Sequence, residues 1–282
     1  MKNKFLNVMI LLTLILLSTS MLSANAATVD SGNYGDNLSW NLDDKGVLTI
    51  SGLGIMQEMD SLYKIPWYKH SSAIKSIVIN SGVTSIAGRS FWGCNNLTNI
   101  VIPKGVTSIG ITAFKYCTSL KNIELPDSIS IIHNLAFTNC SNLESVKLSN
   151  GITYICGSAF RDCSKLTSVN LPETLEVIDG HVFYGCKSLK CITIPASVTT
   201  IGKNAFYGTG IKEVFYNGYK KDWENIEIGT GNEQLTNATF NYLPMSIIIQ
   251  KSGNKFNVTP KGVENKNIII FACYKDNKMV YI

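Results

Sequence analysis

Residues 97–119 read LTNIVIPKGVTSIGITAFKYCTS, and this spacing of apolar residues recurs through the middle of the chain. Phenylalanine marks the period, because it returns every 23 residues without a slip at Phe91, Phe114, Phe137, Phe160, Phe183 and Phe206. Another apolar column keeps the same register at Ile86, Ile109, Ile132, Ile155, Ile178 and Ile201. An internal period of this length indicates a stacked repeat architecture. Six units therefore run from about Ile74 to Gly210.

The units share the consensus pattern LxxIxIPxxVTxIGxxAFxxCxx. The part LxxIxI has the spacing of a short strand, and the proline after it ends the strand because proline cannot donate to a continuing ladder. A second inward pair follows at VxxI, and the Ala-Phe-x-x-Cys turn closes the coil. One unit has too few apolar residues to form a core, so neighbouring units must stack to bury them. The sequence predicts a curved right-handed repeat solenoid with a parallel β-sheet on one face.

The flanks extend this pattern. The segment SGNYGDNLSWNLDDKGVLTISGLGIM at 31–56, followed by PWY at 66–68, favours a β-rich N-terminal cap over 27–73. The segment YNGYKKDWENIEIGTGNEQLTNATFNY at 216–242 favours a closing unit over 211–243. Together, repeats and flanks resemble the BspA-like class of leucine-rich repeats over about residues 31–242. The resemblance implies extracellular binding, often adhesion to host or bacterial surface proteins.

The two ends of the chain predict export and a further β segment. Residues 1–26 carry two lysines, an apolar run and the pattern Ala24-Asn25-Ala26, which is typical of a secretory signal peptide cleaved after Ala26. We expect no membrane insertion after cleavage and a secreted or cell-surface protein. Residues 244–282 read as short strands, and we expect the start of an immunoglobulin-like or similar β-sandwich, cut short at Ile282.

Charge argues against some classes of partner. Loss of Lys2 and Lys4 with the signal peptide lowers the formal net charge from +5 to +3. This mild excess gives no reason to propose nucleic acid or an anionic membrane as partner. A hydrophilic extracellular protein or glycan remains the expected ligand class.

One cysteine column follows five of the six repeat phenylalanines by three residues, at Cys94, Cys117, Cys140, Cys163 and Cys186, and the sixth unit has Thr209 there. An exported protein can oxidise cysteines. Side chains stacked in a column point the same way, however, whereas a disulfide requires Cβ atoms that face each other. Inward packing as small apolar side chains is therefore favoured over disulfides or a metal site.

A second column brings chemically active residues together in units three to five. Its members are Ala87, Gly110, His133, Cys156, Asp179 and Gly202. This column suggests two hypotheses: a nucleophilic Cys156 with His133 as its base, or a small metal site. Cys156 separates His133 from Asp179, and a column holds side chains parallel rather than convergent. We therefore favour the interpretation that this column is a solvent-facing turn position, at which the residue type has drifted or contacts a ligand. We expect no catalytic residue, cofactor or metal.

The column two residues earlier carries Ser85, Ser108, Ile131, Tyr154, Val177 and Thr200. Units three to five thus replace an outward Ser or Thr with three adjacent exposed apolar side chains, beside His133 and Cys156. Such a patch is typical of a contact surface, with cover by the chain's own loop or tail as the alternative.

The outward sheet positions offer a second candidate surface, with Lys121, Glu124, Glu144, Lys147 and Asn170 on neighbouring strands. Lys121 adjoins Glu144 and Glu124 adjoins Lys147, so opposite charges face each other across strands. The face is polar and nearly free of aromatic residues. It suits a hydrophilic protein or glycan and does not suit nucleic acid.

Repeats of this kind supply extended surface without catalytic machinery. We therefore expect a secreted, non-enzymatic binding protein. A passive spacer or targeting part of a larger exported protein is the alternative hypothesis, and an enzyme or metal site around Cys156 is the least favoured.

Overall fold

The structure is a computed structural model that describes residues 26–242, 247–252, 255–260, 272–275 and 278–281. The expected signal peptide therefore lies outside the described residues, except for its last residue. Within the described chain, no helix combines the length and the apolar character needed to cross a membrane.

An antiparallel meander begins the fold and turns into a parallel ladder. Its strands are β1 (Thr28–Tyr34), β2 (Leu38–Asp43) and β3 (Val47–Gly52). The turn between β2 and β3 uses Gly46 at φ +83°, where an added Cβ would lie 2.5 Å from the carbonyl oxygen of Ala73. The other edge of β3 pairs in parallel with the first repeat strand. The cap thus presents a strand edge on which the solenoid continues.

The first parallel ladder follows the LxxIxI segments, and it confirms the predicted solenoid with a parallel sheet. Residues of one sequence column pair with each other, for example Val146 with Val169. The strands are β5 (Ser76–Ile79), β7 (Asn99–Val101), β9 (Asn122–Glu124), β11 (Ser145–Lys147), β13 (Ser168–Asn170), β15 (Cys191–Ile194), β17 (Glu213–Tyr216) and β19 (Thr239–Tyr242). They belong to three sheets, which are divided between β7 and β9 and between β13 and β15.

A second parallel ladder follows the VxxI segments, so the expectation of a sheet on one face alone was incomplete. Six of its strands, from the one at Ser108–Ile109 to the one at Glu227–Ile228, form one continuous sheet. The strands are β4 (Gly54–Ile55), β6 (Val83–Ser85), β8 (Ser108–Ile109), β10 (Ile131–Ile132), β12 (Tyr154–Ile155), β14 (Val177–Ile178), β16 (Thr200–Ile201) and β18 (Glu227–Ile228). Most of these strands have two residues, which is too short for an alternating pattern to predict them.

The remaining elements are short. Two 3₁₀ turns precede the first repeat and two helices belong to the closing unit: Leu62–Lys64, Tyr68–His70, α1 (Lys220–Trp223) and α2 (Glu233–Thr236). Beyond the solenoid, two antiparallel hairpins pair β20 (Ile247–Ser252) with β21 (Lys255–Pro260) and β22 (Ala272–Lys275) with β23 (Lys278–Tyr281). The residues between and around these strands, on which a β-sandwich over 244–282 also depends, lie outside the described part.

The repeat phenylalanines form one continuous stack through the core. All six side chains are fully buried, and successive ring centroids lie 5.2–5.8 Å apart. Trp67 continues the stack from the cap, with its ring 6.0 Å from that of Phe91 and its Nε1 donating to the carbonyl oxygen of Ser90. In the closing unit, Trp223 packs against Tyr216 and Phe240. Aromatic residues of both caps thus close the apolar ends of the repeat core.

The cysteine column packs inward as predicted, and each member is at most 1% exposed. The thiol of Cys117 donates to the carbonyl oxygen of Phe91 in the preceding unit at 3.3 Å, and Cys140, Cys163 and Cys186 repeat this contact. Burial raises the pKa of Cys140 to about 12. The thiols therefore act as small buried donors that join one coil to the next.

Candidate functional site

The second ladder brings the three apolar replacements side by side. Ile131, Tyr154 and Val177 are the first residues of β10, β12 and β14, and their Cα atoms pair across consecutive strands. Ser108 and Thr200 occupy the same position on the flanking strands. We call Ile131, Tyr154 and Val177 the Tyr154 patch. Within the six repeats it interrupts a row that otherwise carries hydroxyl side chains, and the flanking strands β4 and β18 place Ile55 and Glu227 at the two ends of this row.

Exposure within the Tyr154 patch is uneven, which corrects the expectation of three exposed side chains. Tyr154 is 38% exposed, whereas Ile131 and Val177 are partly buried. Ile131 and Val177 lie on the strands to either side of Tyr154. The described residues leave Tyr154 accessible, and it is the dominant side chain of the patch.

The Tyr154 hydroxyl lies in an acidic neighbourhood. Partial burial and the Asp179 carboxylate raise the pKa of Tyr154 to about 12. The hydroxyl consequently stays protonated at ordinary pH and can donate a hydrogen bond. Asp179 itself accepts from the backbone N–H of Gly180 at 2.6 Å. The patch therefore combines an apolar ring with a donor and a fixed acceptor.

The column of His133, Cys156 and Asp179 is not a solvent-facing row, and this prediction was wrong for Cys156. Its side chain is buried, at 8% exposure, while His133 and Asp179 are half-buried. Neighbouring coils also approach each other closely at the glycine members of this column. At Gly110, an added Cβ would lie 2.4 Å from the backbone nitrogen of Gly88 in the preceding unit. The column is thus a contact between coils.

The environment of Cys156 opposes nucleophilic chemistry. Burial, with a smaller contribution from the Asp179 carboxylate, raises the thiol pKa above its usual value. A reactive cysteine needs the reverse, a pKa lowered by nearby positive charge. Among the described residues, no group of three or more His, Cys, Asp or Glu side chains has an arrangement that could hold a metal ion. The column offers a half-buried imidazole and carboxylate rather than a catalytic pair.

The alternative sheet face is flat and partly paired. Lys147 and Glu124 form an ion pair across β11 and β9, and this contact raises the pKa of Lys147. Lys121 and Glu144 are both exposed, and the structure joins them through a backbone hydrogen bond rather than an ion pair. Asn170 is exposed beside Lys147 on β13. Exposed pairs of this kind contribute little stability, so the side chains remain available to a polar partner.

Sequence reasoning missed a row of aromatic side chains on the turns around the repeat phenylalanines. Tyr184 and Tyr207 stack with centroids 5.2 Å apart, and the Arg161 guanidinium lies 4.5 Å from the Tyr184 ring centroid. Toward the other end, the Trp92 and Tyr116 centroids lie 5.5 Å apart. The signal was available, since Arg161, Tyr184 and Tyr207 each follow a repeat phenylalanine directly.

Solved structures of bacterial leucine-rich repeat proteins are similar to this chain. A leucine rich cell surface protein from Faecalibacterium prausnitzii A2-165 is 26% identical, with 66% of this chain and 54% of that chain covered and a TM-score of 0.52. This chain therefore spans about half of that protein. A leucine-rich repeat protein from Eubacterium ventriosum ATCC 27560 is 23% identical, with 69% and 73% covered and a TM-score of 0.38. The comparison with curated proteins found no match.

The family comparison covers the whole repeat array. The model for the BspA type leucine rich repeat region, in six copies, matches residues 67–190 and 155–257. These two ranges overlap and together cover more than half of the chain. The match includes the phenylalanine stack, the buried cysteine column and both parallel ladders except for β4. This protein therefore belongs to the BspA-type leucine-rich repeat family.

Proposed function

We propose that this chain is a secreted or cell-surface binding protein without enzymatic activity, and that its solenoid contacts an extracellular protein or glycan. Family membership supports a surface-binding role, and a similar solved structure is named as a cell surface protein. The raised thiol pKa of Cys156 argues against the least favoured alternative, an enzyme at that residue.

The observation that carries the proposal is the replacement of hydroxyl side chains by the Tyr154 patch in three consecutive coils. The flanking coils keep Ser108 and Thr200 at the same ladder position, so the fold itself does not require apolar residues there. An accessible aromatic side chain at the centre of a patch is the usual energetic anchor of an interface. His133 and Asp179 add polar groups at its border.

The test compares two surfaces of one solenoid. Tyr154→Ser restores the residue type of the first coils, and Lys121→Ser with Lys147→Ser removes charges from the alternative sheet face. The chain without residues 1–26 is immobilised and exposed to host-matrix and bacterial-surface extracts, and bound material is identified by mass spectrometry. We expect Tyr154→Ser to weaken capture of a specific ligand by about tenfold or more, while the double lysine variant retains it.

Two outcomes would contradict this proposal. If the lysine variant loses the ligand and Tyr154→Ser retains it, the ligand uses the sheet face. If neither the unchanged chain nor any variant captures a ligand, a passive spacer in a larger exported protein becomes the better hypothesis. Circular dichroism of Tyr154→Ser serves as the folding control.

A further inference from the structure

Charge is unevenly distributed around the solenoid. We define the turn face as the nine residues from three before to five after each repeat phenylalanine, namely 88–96, 111–119, 134–142, 157–165, 180–188 and 203–211. It contains six cationic side chains and one carboxylate, Asp162, a formal net charge of +5. The cations are Arg89, Lys115, Arg161, Lys165, Lys187 and Lys203. The whole chain without residues 1–26 has a net charge of +3, so all other residues together are negative.

The second ladder carries the opposite sign. The nine residues before each turn-face segment contain one cation, Lys104, against four carboxylates, a net charge of −3. The carboxylates are Asp127, Glu173, Glu176 and Asp179. Stacking aligns each column along the solenoid. The charge difference between the turn face and the second ladder therefore gives the solenoid a positive side and a negative side. The positive side fits an anionic partner.

Aromatic rings are interleaved with the cations on the turn face. Arg161, Tyr184 and Tyr207 form one continuous stack over three coils. At the other end, the Lys115 ammonium lies 5.2 Å from the Tyr116 ring centroid. Tyr116 and Tyr207 are 40% and 45% exposed. Phenol hydroxyls, ring edges and cationic groups therefore face outward together.

Tyr116 occupies a backbone position that does not favour a large ring. It lies two residues after its phenylalanine with φ +65°, in the left-handed region. The equivalent residues of the other five units are Gly93, Asn139, Asp162, Gly185 and Gly208, the types that tolerate this conformation best. An aromatic side chain held there points to a role outside the turn itself.

We propose, on the basis of the binding function proposed above, that the turn face binds a linear acidic polysaccharide. Lysine and arginine groups pair with its carboxylate or sulfate groups, and tyrosine hydroxyls and the positive ring edges contact the sugar oxygens. Neighbouring coils repeat every ~4.8 Å, a length comparable to the advance of one sugar in an extended chain. A periodic open surface thus matches a periodic polymer.

Two other anionic partners fit less well. Single-stranded nucleic acid requires free aromatic faces on which bases stack, but the Tyr184 ring is covered by Arg161 and Tyr207. A folded protein interface is usually poor in lysine at its centre, whereas four of the six cations here are lysines. The mixture of exposed lysines and ring edges favours the polysaccharide.

The experiment uses the chain without residues 1–26 and three probes. The buffer contains 0.15 M salt, at which the Debye length is about 8 Å. The probes are polygalacturonate, neutral dextran and an oligothymidylate of matched charge. The test variant combines Lys115→Gln, Lys187→Gln and Lys203→Gln, and the matched control combines Lys45→Gln, Lys75→Gln and Lys104→Gln. None of these six lysines forms an ion pair in the described chain, and both variants remove the same charge.

We expect the chain to bind polygalacturonate and not dextran. The affinity for polygalacturonate should fall about tenfold in the turn-face variant and change by no more than about twofold in the control. Tyr207→Ser should weaken binding by about threefold or more, because a hydroxyl and a ring edge are lost. Equal losses in both lysine variants, tighter binding of oligothymidylate, or no binding of polygalacturonate would overturn the proposal. These results would leave capture through the Tyr154 patch intact, so this inference and the proposed function fail separately.

Discussion

The repeat phenylalanine and the outward residue of the second ladder come from the same 23-residue period but follow different constraints. The phenylalanine is identical in all six units and fully buried. The outward residue changes from Ser85 and Ser108 to Ile131, Tyr154 and Val177 and back to Thr200. The first position is fixed by stacking within the core, and the second is free to serve a partner. Substitutions at the two kinds of position measure this difference in constraint.

The largest effect is expected in the thiol reactivity of the buried cysteine column, compared between the folded and the unfolded chain. Cys140 is fully buried and its pKa is raised to about 12, so its thiolate is almost absent and inaccessible. A polar thiol reagent should label it on the order of 10³-fold more slowly in buffer than in urea, since labelling requires opening of the fold. Peptide mapping by mass spectrometry measures both rates. Comparable rates would show that the column is open to solvent.

Phe137→Ala should lower the free energy of unfolding by about 3–5 kcal/mol, because it leaves a cavity in the middle of the ring stack. Rings on both sides lie 5.2 and 5.3 Å away and cannot close the gap without moving whole coils. Urea denaturation followed by fluorescence gives the value. A loss below about 1 kcal/mol would contradict the assigned packing.

Gly110→Ala should cost about 1–3 kcal/mol, because the new Cβ meets the backbone of Gly88 and the coils must separate slightly. Cys156→Ala, in the same column two units later, keeps the Cβ already accommodated there and should cost about 1 kcal/mol or less. Urea denaturation of both variants tests the contrast. Equal costs would mean that coil spacing is uniform along this column.

Leu135→Asn should raise the free energy of unfolding by up to about 1 kcal/mol, because Leu135 has φ +63° and asparagine tolerates this region better. Asn139→Leu, at φ +61° in the same turn, makes the reverse change and should lose a similar amount. Thermal unfolding of the pair measures both signs. Changes of equal sign would point to side-chain packing rather than backbone conformation.

Tyr154→Ser should change the free energy of unfolding by less than about 0.5 kcal/mol, since the side chain is accessible and the flanking strands carry Ser108 and Thr200. Denaturation in the same urea series as Phe137→Ala gives the comparison. A loss above about 2 kcal/mol would show that Tyr154 packs against the protein's own chain.

Sequence spacing predicted the inward columns because a fixed period leaves only one way to bury them. Phe91 through Phe206, the cysteine column and the inward isoleucines are all apolar at constant intervals, and one unit cannot bury them alone. Their burial and the parallel pairing of the LxxIxI segments are confirmed. The adjacency of Ile131, Tyr154 and Val177 followed from the same register.

Other features were decided by the tertiary structure alone, because they depend on distances between coils. A sequence period does not give these distances. The two-residue strands of the second ladder arise because the VxxI segments are held at pairing distance by the core beneath them. Cys156 is buried by the way the coils pack around it, although its place in the repeat predicted a solvent-facing position. Arg161, Tyr184 and Tyr207 become one stack because coils 23 residues apart in sequence lie side by side in space. The sequence by itself determined which residues face inward, and the packing of whole coils determined which outward residues meet.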